Sequence, residues 1–291
     1  MNRGTWMAIG AALLFGVSGV VAADAFSSVD PVVVAQYRSV GAAAILVGAA
    51  YLRRSTRTAG LRVDLALLGA LLAAVTITYY WAIDRLGVGP GVTLQFLGPS
   101  LVLVWMRVVQ RRRVPAAAWA AAATAVAGTG LMTRAWDLDR LDPAGVLAGL
   151  GAAVTFAGYL IVGERLGRRA PGLTVAAAGF TVSALIWVVA VPVTVPDVSA
   201  VVWGQLAWVA IGGTAAPFLL EIAALRHADP GRVGIIATAE PVVAAGTAWM
   251  ALGQALVPAQ VVGGALVVAA IATIQWLTQS VAPDAPSAQV V

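Results

Sequence analysis

Cysteine is absent from this 291-residue chain, which excludes disulfides, thiolate chemistry and cysteine-based metal sites. Lysine is absent too, so all 18 positive charges are arginines. There is no P-loop and no His-Glu-x-x-His zinc motif; no ATP-driven step within the chain and no cofactor is implied. Charge of either sign is scarce. Charged residues make up 11% of the chain and apolar residues 60%, whereas a soluble domain carries about 25% charged residues. Such a sequence cannot clothe a globule in polar surface, and its natural solvent is the lipid bilayer. There, only helices and closed barrels satisfy their own backbone groups. Barrel strands would alternate apolar and polar residues over about ten positions. This chain has long unbroken apolar runs instead, so the expected fold class is an all-α membrane protein.

A crossing takes about 20 mostly apolar residues. Ten such stretches are expected at about 5–23, 31–52, 64–83, 91–109, 115–133, 144–163, 172–192, 202–225, 231–250 and 259–277. Short connections with breakers separate them, among them Asp30-Pro31, Pro90-Gly91, Pro115, Asp142-Pro143, Pro171-Gly172, Pro230-Gly231 and Pro258. Residues 281–291 read as a disordered tail. The stretch Met1 to Ala25 also mimics a signal peptide ending in Ala23-Asp24-Ala25. Its apolar run from Thr5 to Ala23 is longer than the roughly 7–15 residues of a signal core, so a retained first helix is expected.

The arginines test this layout. With a cytoplasmic N-terminus and ten crossings, the cytoplasmic side holds Arg3, Arg53, Arg54, Arg57, Arg62, Arg107, Arg111, Arg112, Arg113, Arg165, Arg168, Arg169, Arg226 and Arg232. The outer side holds Arg85, Arg134 and Arg140, and Arg38 falls inside a span. That distribution obeys the positive-inside rule, and a missed helix would scramble every later loop. The basic balance therefore reads as membrane orientation, not nucleic-acid binding. A bacterial inner membrane with both termini cytoplasmic is the expected location; the sequence leaves the oligomeric state open.

The two halves resemble one another. Gly10-Ala11-Ala12-Leu13-Leu14-Phe15 matches Gly151-Ala152-Ala153-Val154-Thr155-Phe156 at an offset of 141. Ala82, Gly89 and Pro99 match Ala224, Gly231 and Pro241 at 142, and Pro115 matches Pro258 at 143. Residues 1–141 and 142–280 are thus expected to form two repeats of five helices each. An odd number of crossings turns the second repeat over, and inverted repeats are a transporter architecture with the substrate site near the midplane.

Two motifs carry a resemblance. Tyr80-Trp81-Ala82-Ile83-Asp84-Arg85-Leu86 runs into Leu94-Gln95-Phe96-Leu97-Gly98-Pro99. Pro217-Phe218-Leu219-Leu220-Glu221-Ile222-Ala223-Ala224-Leu225 runs into Ala239-Glu240-Pro241. With these, nearly the whole chain resembles the drug/metabolite transporter superfamily, in its ten-helix branch with two EamA-type repeats. Within that branch it looks most like the threonine and homoserine exporters. The resemblance implies a secondary transporter that exports a small amino acid. It departs from the exporters at Gln95, where they usually carry glutamate, and at Gln254, where many EamA repeats end in Leu-Gly-Glu.

Ionisable groups inside spans cost about 2.5–3.5 kcal/mol each on insertion scales, so they mark candidate sites. Glu240, beside Pro241, reads either as a proton or cation site or as a neutral acid bonded to a neighbouring helix. Glu221 reads either as a second ion-coupling acid or as the structural partner of Arg226. Arg38 would grip a substrate carboxylate with its planar fork, or snorkel to the headgroups. Gln36, Tyr37, Tyr79, Tyr80 and Gln95 would supply neutral hydrogen bonds to a zwitterion, with an interfacial belt as the alternative for the tyrosines. Trp6, Trp119, Trp203, Trp208 and Trp276 read as belt or packing residues, and Gly145 and Gly149 as close helix packing. A rival from another class is an intramembrane serine protease built on Gly16-Val17-Ser18-Gly19 with His227 as base. The layout puts those two residues on opposite sides of the membrane. A non-transporting membrane scaffold would not need ionisable groups in lipid.

Overall fold

The computed structural model describes residues 3–54, 60–86, 88–135, 142–252 and 255–280, and every regular element among them is helical. The tail from 281, Arg57, Arg140, Gln254 and the end of the first repeat, 136–141, lie outside the described residues. The helices are α1 (Arg3–Ala25), α2 (Pro31–Leu52), α3 (Arg62–Leu86), α4 (Val88–Gln95), α5 (Gly98–Val108), α6 (Ala116–Met132), α7 (Pro143–Gly167), α8 (Gly172–Ala190), α9 (Ala200–Ala210), α10 (Ala216–Ala224), α11 (Pro230–Ala237), α12 (Glu240–Leu252) and α13 (Pro258–Ser280), with a π-helical turn at Ile211–Ala215 between α9 and α10.

They make ten spans. Seven are long and apolar enough to cross a membrane by length and composition, and α6 and α13 are shorter apolar helices. The ninth span is the broken pair α11–α12, just as the fourth is the broken pair α4–α5. Three of the helices start in the same way. Asp30, Asp142 and Asp229 each accept a hydrogen bond from a backbone N–H of the first turn, with proline next in sequence. The carboxylate satisfies an orphan donor while proline sits where no donor is needed.

The packing repeats itself between halves. The first span lies against the eighth and ninth, and the sixth against the third and fourth; the second lies against the seventh, and the fifth against the tenth. Exchanging the halves leaves this pattern unchanged, and five crossings per half set the two repeats in opposite orientations. Small residues allow the close approaches. A Cβ on Gly145 would strike Leu86 and Arg85, and one on Gly149 would strike Leu94, so these two glycines seat α7 on α3 and α4. At the crossing of α6 and α13 the backbones at Gly128 and Gly263 leave no room for a side chain on either.

Charges gather at the two ends of the bundle. At one end Asp64 of α3 meets Arg165 and Arg169 at 3.2 and 3.5 Å, and Glu164 meets Arg112 and Arg168 at 3.3 and 2.8 Å. At the other, Arg85 of α3 meets Asp142 at the start of α7 at 2.7 Å. The antiparallel pair α3 and α7 is thus pinned at both ends. Arg232, counted with the loop charges in the orientation test, is buried in α11 and donates to Thr5 of α1. Glu164 and Arg232 join Glu221 as buried charged residues, whereas Arg38 and Glu240 are half-buried.

Candidate functional site

Three prolines shape the middle of the bundle. Proline has no N–H and crowds the carbonyl four residues before it. Pro99 therefore leaves Gln95 without its i+4 donor, Pro241 leaves Ala237, and Pro217 leaves Gly213. Gln95 is the last residue of α4 and Ala237 the last of α11, so both broken spans break where the prolines dictate, 142 residues apart. Across each break the chain tightens to three-residue hydrogen bonds, from Leu97 to Leu94 and from Thr238 to Ile235. Broken helices of this sort line transporter substrate sites, where freed carbonyls face a cavity.

Pro217 acts differently. The chain before it loosens into the π turn, and the Thr214 hydroxyl donates to the Val209 carbonyl at 2.7 Å. Arg38 reaches into this turn from α2. Its Nε donates to Thr214 Oγ1 at 3.0 Å, its Nη1 to Tyr80 Oη at 3.2 Å and its Nη2 to the Gly213 carbonyl at 3.4 Å. One guanidinium thus ties the second, third and eighth spans together. Arg38 does not snorkel: its donors point at protein partners inside the bundle. Gly213 itself must be small, because a Cβ there would fall on the Ser18 side chain of α1.

Glu240 opens α12 at the break in the ninth span. No described residue hydrogen-bonds its carboxyl, and Arg38, Tyr79 and Glu221 lie in its neighbourhood. The backbone there is approached closely by α1, where Gly16 lies against the Glu240 carbonyl and Val243. Glu221 is buried, and its partner is Tyr159 of α7, whose hydroxyl donates to Oε2 at 2.9 Å. The Arg226 alternative does not occur. Tyr159 is itself held by stacking on Phe156 and by edge contact with Phe218.

The remaining residues divide. Tyr80 touches Arg38, and Tyr79 lies beside it, with ring centroids 5.9 Å apart. Gln36 is drawn away: its Nε2 donates to the Val191 and Trp187 carbonyls at 2.8 and 3.3 Å, closing the end of α8. Tyr37 donates to the Thr194 carbonyl at 2.9 Å and stands edge-on to Trp203. Both tie α2 to the segment after α8. Gln95 stands at the fourth-span break with a buried Oε1 that has no hydrogen-bond partner among the described residues.

Sequence reasoning overlooked Tyr159 and Thr214. Tyr159 had a signal, since a phenol far from either end of a span needs a buried partner. For Thr214 the signal is Gly212-Gly213-Thr214 set just before Pro217. The protease reading fails on geometry. His227 sits against Gly4 and Ser18 against Gly213, and the 14 residues of α1 between Gly4 and Ser18 span about 21 Å at 1.5 Å per residue.

Residues 2–134 and 143–276 each match the model of the EamA-like transporter family. Among curated proteins, the threonine/homoserine exporter RhtA of Escherichia coli (strain K12) is 29% identical over 220 residues, covering 72% of this chain and 70% of that protein. The uncharacterized transporter YwfM of Bacillus subtilis (strain 168) is 25% identical over 278 residues, covering 91% and 90%. A solved crystal structure superposes with a TM-score of 0.81 at 20% identity, covering 95% of this chain and 98% of the other, and shares the fold.

Proposed function

The chain belongs to the EamA-like transporter family, and from that premise we propose that it exports a small amino acid such as threonine or homoserine by proton-coupled exchange across a bacterial inner membrane. It is a multi-pass membrane transporter and not an enzyme. The observation that carries the finer reading is the grouping of Arg38 and Tyr80 at the π turn of the eighth span with Glu240 at the break in the ninth. Arg38 presents a planar fork for a substrate carboxylate, with Tyr79 and Tyr80 at hand. Gln95, with its unpartnered oxygen, offers an acceptor for an ammonium or hydroxyl group at the fourth-span break. Gln36 and Tyr37 shape the outer part of the path by holding α2 to α8 and α9.

Glu240 and Glu221 are the ion-coupling acids in this reading. Two ionised carboxyls against one guanidinium would leave the group one negative charge in excess, in a setting where net charge is costly. One proton removes that excess. Glu240 has no hydrogen-bond donor among the described residues to compete with the proton, so it is the exchanging acid, while Tyr159 anchors Glu221. The test is flux of threonine and homoserine in vesicles against an imposed pH gradient. Glu240→Gln is expected to lose the response to the gradient while remaining folded. If Glu240→Gln and Glu221→Gln both respond as wild type does, the acids are structural and proton coupling through them is wrong. Export of another small metabolite or drug is the second reading, favoured by glutamine at position 95. A screen in which neither amino acid is exported, while another solute is, would select it.

A further inference from the structure

At the arginine-rich end, beyond the end of α5 and away from the helix breaks at Gln95 and Ala237, a cleft of about 210 Å³ is lined by Gln110, Arg112, Ile161, Glu164, Arg165 and Arg168. The transport reading makes no use of it. We infer that this cleft is a binding site for a phosphate-bearing anion, either the headgroup of an acidic phospholipid or a free phosphate.

Its charge is unbalanced. Arg112, Arg165, Arg168 and the adjoining Arg169 face two carboxylates, Glu164 and Asp64, leaving two positive charges in excess. Glu164 is nearly buried and spends one oxygen, Oε1, on both Arg112 and Arg168. Each of those guanidiniums has five N–H donors and gives one to Glu164, through Nη1 of Arg112 and Nη2 of Arg168. Both side chains remain substantially exposed, at 39% and 61%. Glu164 therefore holds two forks in place with most of their donors unspent, which suits an oxyanion that accepts two such forks at once.

The backbone is shaped to bring Arg112 there. Beyond α5 the chain turns back through Arg111 at φ +53°, a left-handed conformation that a non-glycine residue adopts only at a cost of about 1–3 kcal/mol. The turn closes with a hydrogen bond from the Arg112 N–H to the Met106 carbonyl at 2.9 Å. Without that reversal Arg112 would not return toward α7. Gln110, just before the reversal, adds an amide to the cleft whose oxygen is buried with no partner among the described residues. Ile161 supplies an apolar wall. Basic pockets between spans on the cytoplasmic side are places where anionic headgroups bind. The bland account is that these arginines neutralise the carbonyl ends of α5 and α7; that account gives no role to the cleft itself.

The test uses the whole purified protein in nanodiscs of phosphatidylcholine with and without phosphatidylglycerol, and in detergent with inorganic phosphate. Phosphatidylglycerol is expected to raise the melting temperature of the wild type by several degrees. In Arg112→Gln/Arg168→Gln at least half of that rise is expected to be lost. Ile161→Trp keeps every charge and fills the cleft, and it is expected to lose the rise as well. A phosphate effect in detergent assigns the site to free phosphate; an effect of the lipid alone assigns it to the headgroup. If Ile161→Trp keeps the full rise, the effect is diffuse surface charge and the site is refuted. The same holds if the double variant is destabilised equally in every lipid, because the arginines then serve only the helix ends.

Discussion

Tyr159 of α7 donates a hydrogen bond to Glu221 of α10 at 2.9 Å, with both side chains buried, whereas Glu240 has no such donor among the described residues. The two acids therefore stand in different positions although both lie within spans. Tyr159→Phe removes a buried donor to an acid and is expected to lower stability by about 1–3 kcal/mol, measured by thermal unfolding in detergent. Glu240→Gln is expected to unfold within a degree or two of wild type. Equal destabilisation by the two substitutions would refute this distinction.

Arg38→Lys keeps the charge and loses the fork that spans Thr214, Tyr80 and Gly213. In the proposed complex the N–H groups of the guanidinium not engaged by those partners grip the substrate carboxylate, and hydrogen bonds to charged groups contribute about 1.5–3 kcal/mol, so the concentration of amino acid at half-maximal flux is expected to rise by roughly tenfold to a hundredfold. A neutral analogue lacking the carboxylate is expected to be affected less. Unchanged flux for both compounds would remove Arg38 from the substrate path.

Topology can be read cleanly because no native cysteine interferes. Arg112→Cys is expected to resist an impermeant maleimide in intact cells and react in inverted vesicles. Ala135→Cys is expected to do the reverse. The opposite pattern at both positions would turn the orientation over.

Asp142 outside the spans offers a pH handle. The Arg85 guanidinium and the Ala144 N–H hold its carboxyl below the usual carboxylate range. A depressed folded-state value means that its contribution is full above the unfolded carboxylate value and is lost as pH falls through the folded one. The melting-temperature gap between wild type and Asp142→Asn is therefore expected at neutral pH and expected to close below about pH 4. A gap that persists in acid would mean that the pair with Arg85 is not its source.

Burial of substituted glycines offers a check on the bundle itself. Gly149→Leu would drive a side chain into Leu94, and overpacking costs about 1–3 kcal/mol. Gly204, with open space around its Cβ position, is expected to accept alanine without loss, and a reversal of this order in thermal unfolding would contradict the α4–α7 contact.

The sequence by itself determined the solvent, the number of crossings and the two-repeat plan. Each of these follows from one-dimensional facts: the length of an apolar run, the sidedness of arginines, and the offset between matching prolines. Even the helix breaks were encoded locally, since Pro99 and Pro241 fix the carbonyls they strand at Gln95 and Ala237. Tertiary structure alone decided which polar group meets which. Arg38 and Thr214 are 176 residues apart, and nothing in the sequence separates a fork aimed into a π turn from one stretched toward headgroups. Gln36 and Tyr37 immediately precede the same arginine in sequence yet serve the end of α8 and the segment after it, because successive residues of a helix point about 100° apart. Glu221 met Tyr159 rather than the nearby Arg226 because burial in lipid rewards a partner on the facing helix, and which helix faces which is set by packing.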